Sequence, residues 1–431
     1  MPLPVRSLPV LQNWDCQGCS TCCRQYHVSV SPEEKKSIEE QRWDREPDLQ
    51  GVPLFVRMGG RFSKSSYRLN HQADGACVFL GPDRRCRIHV RHGSAAKPLA
   101  CRIYPYTLVP AGDHWKLGLR FACPSVAENL GRPLADHLSE AREYAALLEA
   151  QFGTAAVSGS PPPLQGTQAI SWNDLFRIIA AISKILTNSD DAIERRWRKV
   201  LFLVATLRQA KFDGGGDREK AVTGPRLSEL LQILSEASED EVPRRADELP
   251  PPGWVGRMVF RPIVALYARK DTGPERGSAQ VGLRGRLLAG LQFARGKGVV
   301  PRVHAAIPEA TFAATDKPLG SFSAQTVSLL TRWARVKVES MQFCGPTNFG
   351  LGVWDGLESL AMTFPAAMWL ARVLTANGRG SADAITLAVR IVDDNFGFNK
   401  LLGSTRQKFA LRLLAARGEL PKLVAWYGRE L

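Results

Sequence analysis

The chain has 431 residues, 44% of them hydrophobic and 23% charged, which excludes a disordered or low-complexity protein and supplies core for two or three domains. Fifty-seven Lys and Arg stand against 42 Asp and Glu, a net charge of +15 that suits an acidic partner: a nucleic acid, an anionic membrane surface or an acidic protein face. The cations are scattered singly through helical segments and form no block, which argues against a nucleic-acid footprint.

The opening MPLPVRSLPVLQNWDC has early prolines and no sustained apolar stretch, so no secretory signal is read there. No apolar run approaches the roughly 18 residues of a spanning helix. The expectation is a soluble, cytoplasmic protein whose thiols stay reduced and available to metals.

Taken in order, residues 1–15 read as an extended leader, and 16–23 as a cysteine cluster. Val28 and Val30 alternate with Ser29 and Ser31 as a short strand. Ser31-Pro32-Glu33-Glu34 predicts a capped helix start, with the helix running to about Arg45. Residues 52–70 are β-like around a Gly59-Gly60 turn, and 106–121 form a second hairpin. A helix over 132–153 follows, then a proline-rich linker to about 168. Everything afterwards reads helical: a segment opened by Ser171, another by Ser189-Asp190-Asp191, a loop at 213–217, and a short helix at 227–234. After a second linker ending at Gly253, helices are expected near 255–270, 324–340, 354–376, 381–394 and 404–417, with Pro365 kinking or dividing the third. The predicted fold class is α+β: a small cysteine-rich metal-binding domain (1–131), a helix and linker (132–167), a helical region and linker (168–253) and a C-terminal helical domain (254–431).

The chemistry lies in the cysteines. Four of nine fall within CQGCSTCC as Cys16, Cys19, Cys22 and Cys23; Cys77, Cys86, Cys101 and Cys123 follow, and then Cys344 alone. Clustered thiols are soft ligands suited to zinc or iron–sulfur centres. Zinc prefers two closely spaced pairs, and here the distal cysteines are separated by eight, fourteen and twenty-one residues. Cys16, Cys19 and Cys22 match the three-thiol part of a ferredoxin run, with Tyr26 where the fourth would stand and Cys123-Pro124 as a remote substitute. Neighbouring Cys22 and Cys23 are expected to point apart, leaving Cys23 for a second site or as a free thiol. His27 and His89 read as ordinary histidines, and Cys344 as a buried core thiol. The Met- and aromatic-rich stretch 341–374 reads as core, and Asp393-Asp394-Asn395 as a helix terminus.

Four segments in this order, CQGCSTCCRQYHVSVSPEE, GACVFLGPDRRCRIH, KPLACRIYPY and FACPSV, resemble the YkgJ-type cysteine-cluster family, the CxxCxxCC zinc- or iron-chelating domain, over residues 16 to about 126. Lys97-Pro98 stands where the family commonly has Arg-Pro. The resemblance implies that all eight N-terminal cysteines form the metal site, holding an iron–sulfur cluster, 4Fe-4S in type, or zinc. The family includes flagellin lysine N-methylases, so it also implies an alternative: S-adenosylmethionine-dependent methylation of a flagellin-like protein. Nothing in the chain reads as a glycine-rich cofactor turn between strand and helix, a C-x3-C-x2-C cluster motif, a Ser/His/Asp set, an HExxH or a phosphate-binding lysine loop. Function is thus expected from a metal-binding cysteine module attached to a helical region for partner or substrate.

Overall fold

Among the described residues, eight short strands all fall within the first 133 residues, and the long helices follow them. The computed structural model describes residues 3–6, 12–58, 66–153, 159–212, 221–271, 273–280 and 282–430. The expected Gly59-Gly60 turn and 213–217 loop lie outside them. The strands are β1 (Val5–Arg6), β2 (Asn13–Trp14), β3 (Ser29–Val30), β4 (Phe55–Met58), β5 (Ser66–Leu69), β6 (Tyr106–Pro110), β7 (Trp115–Leu119) and β8 (Arg132–Pro133). Between them sit short helices α1 (Thr21–Gln25), α2 (Pro32–Glu40), α3 (Arg87–His92), α4 (Leu99–Ile103) and α5 (Pro124–Ala127). The rest is helical: α6 (Leu138–Phe152), α7 (Trp172–Thr187), α8 (Ile193–Leu207), α9 (Gly224–Glu241), α10 (Trp254–Ala268), α11 (Gly282–Arg295), α12 (Ala324–Glu339), α13 (Val353–Leu374), α14 (Ser381–Asn395), α15 (Thr405–Ala416) and α16 (Glu419–Gly428). The α+β class is the one expected.

The predicted 106–121 hairpin is β6–β7, paired antiparallel from Tyr106 opposite Leu119 to Pro110 opposite Trp115. The leader is not loose. Val5 and Arg6 add a parallel strand beside β7, and Asn13 and Trp14 pair with β8. A third small sheet has the order β3-β5-β4. The capping box at Ser31 forms as the sequence predicts, but α2 stops at Glu40 rather than near Arg45, because Arg42 turns left-handed at φ 58°.

The helices pack round α13. From Val353 to Leu374 it is buried at every residue but Ser359, and it runs unbroken through Pro365, so the expected division does not occur. Contacts on all sides hold the helix where the missing N–H would otherwise end it. By length and composition, the stretch 353–377 meets the test for a membrane span, contrary to the sequence reading; 83% of its apolar window is buried inside the protein. Among the long helices α11 and α16, and the full length of α9, were not foreseen, and neither were the short α1, α3, α4 and α5.

The first proline linker is packed too. Leu164 is fully buried, and the Pro163 and Leu164 carbonyls accept the Val353 and Trp354 N–H groups at 2.9 and 3.2 Å, satisfying donors at the α13 N-terminus. Where the helical region meets β7, close approach requires a glycine: a Cβ on Gly118 would lie 2.3 Å from Gln342 Nε2.

Candidate metal centre

Cys16 and Cys19 sit in the loop between β2 and α1, and Cys22 and Cys23 lie on α1 itself. The Cys77 N–H donates to the Cys23 carbonyl at 2.7 Å, which pins the loop after β5 against α1. Cys86 and Cys123 each occupy the residue before a short helix, α3 and α5, and Cys101 lies within α4. Arg84, left-handed at φ 64°, reaches back to the Cys19 carbonyl at 3.1 Å. Short turns rather than long elements thus position every thiol.

All eight cysteines line a single cavity of about 1020 Å³. All nine thiols are free of disulfides, and Cys344 is buried elsewhere, beside α13, as a core residue. Cys22 and Cys23, expected to point apart, bring their Sγ atoms to 4.0 Å. One short turn of helix leaves both facing inward. Thiolates around one tetrahedral zinc would stand about 3.8 Å apart, given Zn–S bonds of about 2.3 Å. Beyond this pair the thiols ring a chamber rather than converge on a point: among the described residues no three His, Cys, Asp or Glu side chains are gathered closely enough to clasp one ion.

Electrostatic neighbours divide the ring. Cys101 lies within reach of Cys77, Cys86 and Cys22, whereas Cys123 lies within reach of Cys19. Burial pushes the Cys77 thiol up to about 12 and the Cys123 thiol to about 11, and raises Cys101 as well. Cys22 rises first through its hydrogen bond to Cys23 and then through burial. The half-buried Lys97 ammonium opposes this at Cys22 and Cys101. Without a cation these groups are neutral thiols; a bound metal would displace the protons. The donor set fits thiophilic metals.

Histidines add little to that set. His71, which the sequence reading passed over, accepts from Arg68 at Nδ1 (3.2 Å) and therefore donates from Nε2 to the Tyr26 carbonyl at 3.2 Å, so both nitrogens are committed. His27 packs 4.8 Å from it, ring to ring, and burial lowers both pKa values. His89 lines the cavity from the exposed side of α3.

Several wall residues escaped sequence reasoning because their partners are hundreds of residues away. The Tyr26 hydroxyl donates to Asp394 Oδ1 at 2.7 Å, and Lys270 Nζ donates to Oδ2 at 2.6 Å. Arg120 meets the same carboxylate at 3.3 Å and stacks 3.7 Å from the Phe398 ring. Burial alone would raise the Asp394 carboxyl; Lys270 and Arg120 hold it below the ordinary value. Its neighbour Asp393 accepts from Lys337 (2.7 Å), Trp333 (3.0 Å) and the Ala122 N–H (3.0 Å). The acidic pair is the last turn of α14, as expected of a helix terminus, and through Tyr26, Arg120 and the Ala122 N–H it ties the cysteine module to the helical region. Trp14, Tyr106 and Tyr144 form an aromatic wall beside Glu140 and Glu143 on the cavity's other side.

Residues 15–124 match the model of the CxxCxxCC family, described as "Putative zinc- or iron-chelating domain". The match starts one residue before Cys16 and ends one after Cys123, so it encloses all eight cavity thiols and leaves the helical region outside. No curated protein and no solved structure matches the chain.

Proposed function

Since the N-terminal quarter of the chain carries this chelating domain, we propose that its cavity binds a polynuclear thiolate centre: one or two iron–sulfur clusters of the 4Fe-4S type. One observation carries the reading. Eight cysteines scattered over more than a hundred residues line one chamber, while the ninth, Cys344, does not. A chamber ringed by spaced thiols suits a cluster of several irons better than one zinc, which would leave four thiols without a role. Cys22, Cys77, Cys86 and Cys101, which neighbour one another, would hold one centre, and Cys19 and Cys123 would contribute to the other. Bound clusters supply one-electron chemistry, tuned by nearby hydrogen bonds and charge. The Trp14 indole N–H, buried near Cys123 with no hydrogen-bond partner, and the Lys97 ammonium near Cys22 are placed for such tuning. The reduced thiols suit a reducing, cytoplasmic compartment.

The test is iron, zinc and acid-labile sulfide analysis on protein purified without oxygen. Iron and sulfide in comparable amounts are expected. Zinc without sulfide would overturn the cluster and leave a structural thiolate site. Absence of metal, with Cys77→Ser and Cys101→Ser variants behaving as wild type, would overturn metal binding altogether.

A second reading is protein-lysine N-methylation from S-adenosylmethionine on a flagellin-like substrate. The Trp14 and Tyr106 rings beside Glu140 favour it, because aromatic faces with a carboxylate suit an ammonium group; Tyr144 and Glu143 are already engaged by Arg102. No calorimetric binding of S-adenosylmethionine and no methyl transfer to flagellin would dispose of it.

A further inference from the structure

The cavity does not account for one lopsided stretch in the helical part of the chain. Between Glu275 and Glu309 there is no Asp or Glu, while Arg276, Arg284, Arg286, Arg295, Lys297 and Arg302 supply six cations, all exposed. Helix α11 lies inside this stretch. Its inner face is fixed: Ala289 and Phe293 are buried, and the Phe293 ring meets those of Phe312 at 5.5 Å and Trp369 at 5.9 Å.

Its outer face is apolar where solvent would favour polar residues. Leu287 and Leu288 are each 66% exposed and Leu291 48%. With helical spacing of three and four, these leucines form one stripe, with Arg284 a turn before it and Arg295 a turn after. The 14-residue helix is about 21 Å long. Leucines at the centre of a stripe, bracketed by cations in an acid-free segment, describe a helix lying in an anionic interface with its leucines in the acyl boundary and its arginines among headgroups. A nucleic acid would use the cations and leave the leucines in water.

We propose that α11 seats this protein on an anionic lipid bilayer surface. The helix lies flat and does not span.

Flotation of the full-length protein with phosphatidylcholine vesicles, and with vesicles of equal phosphatidylglycerol and phosphatidylcholine, tests this. Binding is expected to the anionic vesicles and not to phosphatidylcholine alone. Leu287→Ser with Leu291→Ser should reduce it by about tenfold or more while every cation remains. Arg284→Gln and Arg295→Gln should each weaken it by about fivefold. Because these side chains are exposed, circular dichroism and metal content of the variants should match wild type. Two outcomes overturn the proposal. One is no flotation of wild type on anionic vesicles at low salt. The other is flotation unchanged by the leucine pair, which would assign it to the net charge of +15.

Discussion

Two hydrophobic clusters divide this molecule, and they are built differently. The larger runs from the β1-β7-β6 sheet through nearly every long helix and has α13 at its centre. The smaller has eight buried side chains, Val30, Ile38, Trp43, Leu49, Leu69, Val78, Phe79 and Ile88, with Cys77, Cys86 and Cys101 packed against it. The first can be stable through burial alone. The second is too thin for that, and its loops are held at thiols. One region is organised by apolar area, the other by the ligands it carries.

The largest expected effect follows directly. Stripping metal with a chelator, or Cys77→Ser together with Cys101→Ser, should open the cysteine module to protease between residues 16 and 104 while the helical region stays folded. Structural metal sites contribute on the order of 10 kcal/mol or more to small modules, and the larger cluster does not depend on these thiols. Limited proteolysis read beside circular dichroism would show it. Loss of both regions together would break the comparison.

Next come the residues that join the two. Lys337 and Asp393 are 1% and 0% exposed side chains paired at 2.7 Å. Asp393→Ala leaves the ammonium buried without its counter-charge, at a cost of about 3–5 kcal/mol. It also frees the Ala122 N–H next to Cys123. Thermal stability should fall and metal release should quicken together, whereas a substitution confined to either region should move one readout.

The sequence exposed the two regions unequally. Cysteine spacing and the motifs around each cysteine picked out all eight cavity thiols, because each lies on a short turn where local sequence dictates position. Local signals also placed the β6–β7 hairpin and the Ser31 and Ser171 caps. Pairing between thiols was not legible: it depends on how α1 turns Cys22 and Cys23 inward, and on loops that meet only in three dimensions. Nor was the Tyr26–Asp394 contact, whose partners lie 368 residues apart. α11 was missed because Gly285 and Gly290 and its exposed leucines blur the amphipathic period. Pro365 misled in the opposite sense, since burial overrode the local preference.

A pH profile sharpens the contrast at the helical side. Burial pushes the Glu358 carboxyl up to about 7 from its ordinary value of 4.5, and the Asp355 charge adds to the rise, although Arg208 stands 2.8 Å away. A raised carboxyl is held protonated in the folded state after the unfolded chain has ionised. Stability from this group is therefore full below about 4.5, declines as pH rises and is lost above about 7, on the order of 3 kcal/mol. Glu358→Gln should flatten that slope in denaturant titrations and leave metal content unchanged. An unaltered slope would mean another group titrates.

The smallest effect discriminates best, because the same device occurs once in each region. Ser31 Oγ accepts from the Glu34 N–H at 3.1 Å, and Ser171 Oγ accepts from the Asp174 N–H at 3.1 Å. In both, the acid three residues on holds a distant N–H: Glu34 takes that of Leu99 at 2.7 Å, and Asp174 that of Gly224 at 2.9 Å. Either serine to alanine should cost about 1 kcal/mol. The consequences should differ. Leu99 begins α4, which carries Cys101, so Ser31→Ala loosens a thiol; its signature is faster metal loss to chelator with little change in global unfolding. Gly224 begins α9 on the large cluster, so Ser171→Ala should lower the unfolding midpoint and leave metal release alone. If both variants moved the same readout, the two regions would be one cooperative unit, and the division by hydrophobic cluster would not describe how the protein unfolds.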